Sequence, residues 1–218
     1  MAKRDTWEDH YTRRARSEKW LARSVYKLEE IDKKFKLIRR GHRILDLGCS
    51  PGSWSQYCLK KIGPQGHVAG VDLEGPAPLS VPNFRFIEGD VFELDPKWLA
   101  QEIGPRDLVM SDMAPQTTGI KVKDASRSLE LGNRALEIAL IVLGKEGHFL
   151  CKVFQGEDQE TFKEKLGHYF DQTRLIRPSA VRKKSKEIYV LGSGFKGSAA
   201  VARLWGGKEV PGSEGENR

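Results

Sequence analysis

Residues 43–54 read RILDLGCSPGSW, an apolar segment that runs into a glycine-containing turn. The apolar part predicts a buried β-strand, and a helix is expected from about residue 53. The arrangement places Gly48 and Gly52 at the carboxyl end of a first strand, where doubly wound sheets bind nucleotides. The spacing lacks the GxGxxG fingerprint of dinucleotide-binding dehydrogenases. A nicotinamide-dependent oxidoreductase is therefore disfavoured.

The chain from there to residue 195 alternates short apolar runs with helical stretches. This alternation implies a parallel sheet with helices on both faces. The last two strands have no helix between them, which predicts an antiparallel finish at the sheet edge. The expected fold is therefore α/β and Rossmann-like, a mostly parallel seven-stranded sheet with an antiparallel last strand. We predict strands at 43–48, 67–72, 84–90, 107–112, 147–154, 173–178 and 187–195, and helices near 53–62, 95–103, 124–143 and 157–170.

Length and composition indicate one globular domain with appendages. The chain has 218 residues, of which 39% are hydrophobic and 31% charged. We predict a single domain over 1–195 with a basic, helical N-terminal segment over about 1–40, and a flexible tail over 196–218. Neither a secretory signal nor an apolar run of roughly 18 residues is present, so we expect a cytoplasmic protein outside the membrane. The three cysteines share no CxxC spacing, which favours buried, reduced thiols and no metal site.

Basic residues are concentrated in two segments. Residues 1–43 hold 14 Lys or Arg against 7 Asp or Glu, while the net charge of the whole chain is +7. A second cluster runs from Arg174 to Lys186 without an intervening acid. If the two segments form one face, a polyanion such as nucleic acid is the partner it attracts. Charge alone fits a solvated surface equally well.

Acidic residues end three successive predicted strands. Asp72 ends the second strand, and a carboxylate there accepts hydrogen bonds from ribose hydroxyls. Asp90 follows the third strand, where it could accept a bond from an adenine amine, and Asp112 ends the fourth. Trp54 could contact the same ligand through its ring or its backbone. Each acid alone could be a cap or turn residue, but three at one rim favour a binding site.

Three further charged residues are predicted near this rim. Lys152 lies in an otherwise apolar strand, where an isolated charge is costly to bury, so it should reach the rim or have a partner. Glu187 opens the last strand, and Lys27 sits beside the apolar stripe of a helix predicted over 20–35. A pair of structural ion pairs is the alternative interpretation.

The segments SVYKL, DLGCSPGSWSQ, SDMAP, KVFQG and SKEIYV, taken together and in this order, resemble the FtsJ/RrmJ family of ribosomal RNA ribose methyltransferases over roughly residues 15–195. The resemblance implies a methyltransferase fold with S-adenosyl-L-methionine as cofactor. It also implies a catalytic tetrad of Lys27, Asp112, Lys152 and Glu187, and cofactor contacts from Gly52, Trp54, Asp72, Asp90 and Asp112. The chain departs from bacterial relatives in having Gln116 for Asn after SDMAP and Ser53 for a second Gly.

The same resemblance implies a specific reaction. The substrate would be a uridine ribose 2′-hydroxyl in the A loop of 23S rRNA, methylated in the assembled 50S subunit by a monomeric enzyme. Lys152 would accept the hydroxyl proton, or would stay charged and stabilise the developing alkoxide. Two alternatives stay open: a 2′-O-methyltransferase of another RNA, such as tRNA or a cap, and a non-catalytic RNA-binding ribosome-assembly protein. The intact tetrad argues against the second.

A methyltransferase of structured RNA needs phosphate contacts around its catalytic rim. Such contacts supply affinity and position rather than sequence choice. The candidates are the basic residues that flank the tetrad in sequence, namely Arg13, Arg14, Arg16, Arg23, Arg182, Lys183 and Lys184.

Overall fold

The computed structural model describes residues 10–75, 79, 81–156 and 158–197. The strands are β1 (Arg43–Leu47), β2 (His67–Asp72), β3 (Phe84–Glu88), β4 (Arg106–Ser111), β5 (Leu143–Phe154), β6 (Phe170–Ile176) and β7 (Glu187–Phe195). The helices are α1 (His10–Ser17), α2 (Val25–Phe35), α3 (Ser53–Ile62), α4 (Pro96–Ile103), α5 (Lys121–Val142) and α6 (Gln159–Tyr169).

The strands form one seven-stranded sheet in the order β3-β2-β1-β4-β5-β7-β6. Strands β1 to β5 pair in parallel, and β7 pairs antiparallel with β5 and β6. The prediction of a mostly parallel sheet with an antiparallel last strand is confirmed. Strand β7 lies inside the sheet, and β6 forms the edge.

Helices cover both faces of the sheet, because alternate strand residues point to opposite sides. Leu45 and Leu47 of β1 join the core under α4, α5 and α6, while Ile44 joins the core under α1, α2 and α3. Burying each large apolar side chain contributes about 1.5–3 kcal/mol. Cys49, Cys58 and Cys151 are buried free thiols, as predicted.

The N-terminal segment forms two helices rather than the single helix predicted over 20–35. Helix α2 begins only at Val25, and Leu21 of the predicted apolar stripe is 36% exposed. The chain before α2 is held against α3 instead, since the Gln56 side chain bonds to the backbone of Lys19 and Leu21. These contacts replace a first helical turn with an irregular connection.

The predicted tail over 196–218 lies outside the described residues, except for Lys196 and Gly197. Within the described part of the chain, no helix has the length and apolar character that crossing a membrane requires.

Candidate active site

The carboxyl ends of the parallel strands meet at one rim, where a cavity of about 530 Å³ opens. This volume falls in the usual range of small-molecule sites, about 300–1,000 Å³. The three predicted acids Asp72, Asp90 and Asp112 all line it. Sequence reasoning therefore located this part of the rim correctly.

Backbone amides fix Asp72 and Asp90, the two acids predicted to accept hydrogen bonds from the cofactor. Asp72 accepts from the amide of Ser50 at 2.8 Å through one oxygen and from the amide of Leu73 at 2.7 Å through the other. Oδ1 of Asp90 accepts from the amide of Phe92 at 2.9 Å. Oδ2 of Asp72 and Oδ1 of Asp90 each keep lone-pair capacity for a second donor, since a carboxylate has about four acceptor positions.

Gly48 has a φ of +75° and stands against Met113. A Cβ on Gly48 would collide with Cγ of Met113, and both residues line the cavity. Because Gly48 has no side chain, the space between the turn after β1 and the segment after β4 stays open. Carboxylates around a close backbone approach suit a ligand with hydroxyl and amine donors, such as the S-adenosylmethionine that the family resemblance implies.

Gly52 and Trp54 do not line this cavity. Gly52 caps α3 with a φ of 109°. The Trp54 ring points into the core, where its Nε1 donates to the carbonyl of Ser24 at 2.9 Å and its ring packs against Tyr189. A contact between Trp54 and the cofactor would therefore run through the backbone at the start of α3.

The four tetrad residues form a continuous chain of charges beside the cavity. Nζ of Lys27 lies 2.6 Å from Oε2 of Glu187 and 3.9 Å from Oδ2 of Asp112. Nζ of Lys152 lies 3.2 Å from Oδ1 of Asp112 and also donates to the Asp112 carbonyl. Lys27 is 8% exposed and Lys152 is 5% exposed. Two buried cations thus alternate with two carboxylates, so that each charge has a partner.

Strand register brings these residues together from distant parts of the sequence. Ser111 pairs with Cys151, so Asp112 follows β4 at the level of Lys152 in β5. Lys152 in turn pairs with Tyr189 in β7, and Glu187 lies two residues earlier. Helix α2 packs on that sheet face and supplies Lys27. Residues two apart on a strand share a face, which puts Glu187 and Tyr189 on the tetrad side.

Tyr189 is a member of this cluster that the sequence analysis missed. Its hydroxyl donates to Oδ1 of Asp112 at 2.6 Å. Burial and the neighbouring Asp112 raise the pKa of Tyr189 well above its usual value, so the phenol keeps its proton and remains a donor. The available signal was its spacing of two residues from Glu187 in SKEIYV.

Asp46 is a second residue that was missed, because it lies inside the apolar run of β1. Its carboxylate is 1% exposed and accepts from the Ser55 hydroxyl at 2.7 Å, while Oδ1 has no partner among the described residues. Burial, with repulsion from Asp112 and Asp72, raises the pKa of Asp46 to about 7. A buried acid that binds a proton near neutral pH thus lies under the rim.

A smaller cavity of about 220 Å³ adjoins the tetrad and shares no lining residue with the larger one. It is lined by Arg23, Ser24, Lys27, Arg182 and Glu187. Partial burial and repulsion from Arg182 lower the pKa of the Arg23 guanidinium. Two arginines from distant segments thus meet in front of two tetrad residues, as expected for an entrance that admits an anionic substrate.

The other predicted RNA contacts differ in how far they are exposed. Arg13 and Arg16 are exposed on α1, and Lys183 and Lys184 are exposed before β7. Arg14 is engaged within the protein, since its Nε lies 2.7 Å from Glu18 and its guanidinium stacks over a tyrosine ring.

Comparisons with known proteins show the family and the fold. The family model described as FtsJ-like methyltransferase matches residues 20–195. The Ribosomal RNA large subunit methyltransferase E of Desulfatibacillum aliphaticivorans is 46% identical over 199 residues, 91% of this chain and 96% of that relative. A Plasmodium falciparum structure described as a ribosomal RNA methyltransferase aligns with a TM-score of 0.72 and 26% identity, covering 82% of this chain and all of that one. The fold is shared with Aeropyrum pernix fibrillarin, solved with natively bound S-adenosyl-L-methionine (TM-score 0.50, 17% identity, 78% of this chain and 76% of that one).

Proposed function

The chain belongs to the FtsJ-like methyltransferase family, and from that premise we propose that it methylates a uridine ribose 2′-hydroxyl in the A loop of 23S rRNA. The enzyme is an S-adenosylmethionine-dependent methyltransferase of large-subunit ribosomal RNA. The uridine and the A loop are the finer parts of the proposal. They rest on the resemblance of the five sequence motifs to bacterial family members.

The observation that carries the proposal is the position of the tetrad between two cavities. The larger cavity holds the acids suited to the cofactor, and the smaller one is lined by arginines suited to RNA. Asp112 lines the larger cavity, while Lys27 and Glu187 line the smaller one. A substrate hydroxyl entering past the arginines would therefore approach the methyl donor at the tetrad, which converts a bimolecular reaction into an oriented one.

Bound S-adenosylmethionine supplies a methyl group on a positively charged sulfur and leaves as a neutral thioether. Asp72 would accept hydrogen bonds from the ribose hydroxyls of the cofactor, and Asp90 would accept from its adenine amine. Gly52 and Trp54 would contribute backbone groups at the start of α3, and Asp112, which lines the same cavity, would contact the cofactor as well. The amide bonds that already hold Asp72 and Asp90 keep both carboxylates preorganised for this role.

The unprotonated amine of Lys152 would accept the proton of the ribose hydroxyl while the hydroxyl oxygen bonds to the methyl carbon and the bond between that carbon and sulfur breaks. Asp112 orients the Lys152 amine, because its carboxylate oxygen and its carbonyl both contact Nζ. Lys27 contacts the other carboxylate oxygen of Asp112 and pairs with Glu187, and Lys27 and Glu187 line the substrate entrance. General-base assistance of this kind contributes about 10²–10⁴-fold to a rate.

Replacing Lys152 with Arg separates proton acceptance from a purely electrostatic role. Arginine is not deprotonated in proteins, so Lys152→Arg keeps the positive charge and removes the base. We expect Lys152→Arg to be as inactive as Lys152→Met while retaining cofactor affinity. Substantial transfer by the arginine variant would assign Lys152 the role of a charged stabiliser instead.

RNA is held by the basic residues around the smaller cavity, with Arg23 and Arg182 next to the reacting ribose. Exposed charges lose attraction in salt, so affinity for RNA should fall steeply and linearly on a log–log plot as salt rises. We expect Arg182→Gln to reduce the slope of that plot. The control Lys145→Gln should leave the slope unchanged, because Lys145 lies near the amino end of β5, away from the tetrad residue Lys152. A salt-independent affinity would contradict this face.

The substrate is the assembled 50S subunit, and the enzyme acts on it as a monomer in the cytoplasm. The experiment compares methyl transfer to 50S subunits lacking the modification, to naked 23S rRNA, to tRNA and to capped RNA at equal RNA concentration. Preference for the 50S particle supports the proposal. Faster transfer to tRNA or capped RNA would keep the reaction and change the substrate.

A further inference from the structure

The amino ends of strands β1 to β4 meet at the pole of the sheet opposite the catalytic rim. A cavity of about 220 Å³ opens there, under the last turn of α4. Arg43 begins β1, Arg106 begins β4, and Arg85 is the second residue of β3. All three line the cavity, which we call the polar-end pocket. None of them belongs to the machinery assigned to methyl transfer.

Backbone carbonyls at the end of α4 take up part of this positive charge. Nη2 of Arg43 donates to Ile103 at 2.6 Å, Nη1 of Arg85 donates to Glu102 at 2.9 Å, and Nε of Arg106 reaches Gly104 at 3.3 Å. Cations near a helix C-terminus are favourable. These contacts explain why arginines gather here, but each uses only part of a guanidinium that has five donors.

Charge in the pocket is unbalanced. Glu102, whose carboxylate pairs with Arg85, is the one acidic side chain in the pocket wall among the described residues. Asp107 lies nearby and accepts from the backbone amide of Arg43. His67 also lines the pocket. Three guanidinium groups thus face a single lining carboxylate.

Arg106 is the residue that this arrangement leaves incomplete. It is 4% exposed, and its Nη1 is buried with no hydrogen-bond partner among the residues that the structure describes. Burial and repulsion from Arg43 lower the pKa of Arg106 to about 10. Leaving a buried donor of a charged group unsatisfied is costly, so the position favours a ligand that brings an acceptor.

We infer that the polar-end pocket is an anion site that binds a phosphate group, held by the guanidinium groups of Arg106, Arg43 and Arg85. Phosphate oxygens match the planar fork of guanidinium, and charge-assisted bonds of this kind are about twice as strong as neutral ones. A tetrahedral anion would also reduce the mutual repulsion of the three arginines. The phosphate belongs either to the RNA backbone or to a free phosphate.

The test measures thermal unfolding of the full chain while inorganic phosphate replaces chloride at constant ionic strength. A ligand that binds only the folded state raises the midpoint, by roughly 5 °C or more at 100 times its Kd. We expect a saturable rise in wild type and its loss in Arg106→Gln. Because Arg106 is buried and its variant could unfold, Arg85→Gln is the second variant, since the Arg85 side chain is 52% exposed.

The matched control is Arg40→Gln, which removes an exposed arginine outside the pocket wall. It should keep the wild-type response to phosphate. No phosphate effect in wild type, or an equal effect in wild type and Arg85→Gln, would overturn the inference. The measurement needs neither cofactor nor turnover, so its failure is independent of the proposed methyltransferase function.

A second titration separates the two sources of phosphate. Binding of a 23S rRNA fragment is compared among wild type, Arg85→Gln and Arg40→Gln. If Arg85→Gln alone binds the RNA fragment at least about fivefold more weakly than wild type, the phosphate belongs to the RNA backbone. An unchanged RNA affinity together with the phosphate-dependent midpoint identifies a free phosphate, and both results support the site.

Discussion

Lys152→Ala removes the proposed proton acceptor and one of the two cations beside Asp112. Lys152 is 5% exposed, and its Nζ lies 3.2 Å from Oδ1 of Asp112. Loss of general-base assistance alone predicts a fall in turnover of at least about 10²-fold. Lys152 does not line the cavity proposed for the cofactor, so the affinity for S-adenosylmethionine should change little.

The same substitution should reduce stability. Removing one partner of a buried ion pair costs about 3–5 kcal/mol. Here we expect the low end, roughly 3 kcal/mol, because Asp112 keeps the hydroxyl of Tyr189 at 2.6 Å and Lys27 at 3.9 Å. Lys152→Met retains most of the side-chain volume and separates lost packing from lost chemistry.

The assay is single-turnover transfer of labelled methyl to large subunits, with cofactor affinity measured by calorimetry on the same preparations. Lys145→Ala is the matched control, because Lys145 is an exposed lysine on the same strand. We expect the control to match wild type and both Lys152 variants to bind cofactor without transferring methyl. Turnover within a few-fold of wild type in folded Lys152→Ala would refute the assigned role.

Three further predictions concern residues around the tetrad. Tyr189→Phe loses one hydrogen bond to a carboxylate, so its free energy of unfolding should fall by about 2 kcal/mol. Its turnover should fall less than tenfold, because Lys152 still holds Asp112. An inactive but stable variant would place the phenol in the chemistry itself. The pKa of Asp46 is about 7 in the folded protein and about 3.8 in the unfolded chain, so the folded state binds this proton more tightly. As the pH rises from 5 to 8, the free energy of unfolding of wild type, measured in urea, should fall by up to about 3 kcal/mol, while that of Asp46→Asn should not. Equal pH profiles for the two proteins would contradict the raised pKa. Gly48→Ala places a Cβ at a position whose φ is +75°, where it collides with Met113. The Kd for the cofactor, measured by calorimetry, should rise about tenfold or more. An unchanged Kd would mean that the turn relaxes freely.

Much of the fold could be predicted because the strands are short apolar runs separated by clear turns. The acids at the strand ends were also predictable, since parallel strands end at one rim. Lys152 was noticed as a single charge in the apolar run GHFLCKVF. Its partner in space could be named only through the family resemblance, because the register between β4 and β5 is a property of the assembled sheet.

The residues that were missed depend on such tertiary contacts. Asp46 reads as part of an apolar strand, and nothing in RILDLG indicates that Ser55 would supply its hydrogen bond. Tyr189 is an aromatic residue in an apolar strand, as many core residues are. Its role follows only from the hydrogen bond between its hydroxyl and Asp112. Trp54 shows the converse, because its position in the turn suggested a cofactor contact, while its ring packs between α2 and the sheet.

The central claim is that this chain methylates one ribose of the large-subunit RNA. In the measurement that tests it most directly, the protein and labelled S-adenosylmethionine are incubated with 50S subunits from cells lacking this protein. The labelled nucleotide is then mapped in the RNA, and its methylated nucleoside is identified. We predict a single 2′-O-methyluridine in the A loop of 23S rRNA. Label on a base, or no transfer by protein that binds the cofactor, would contradict the account.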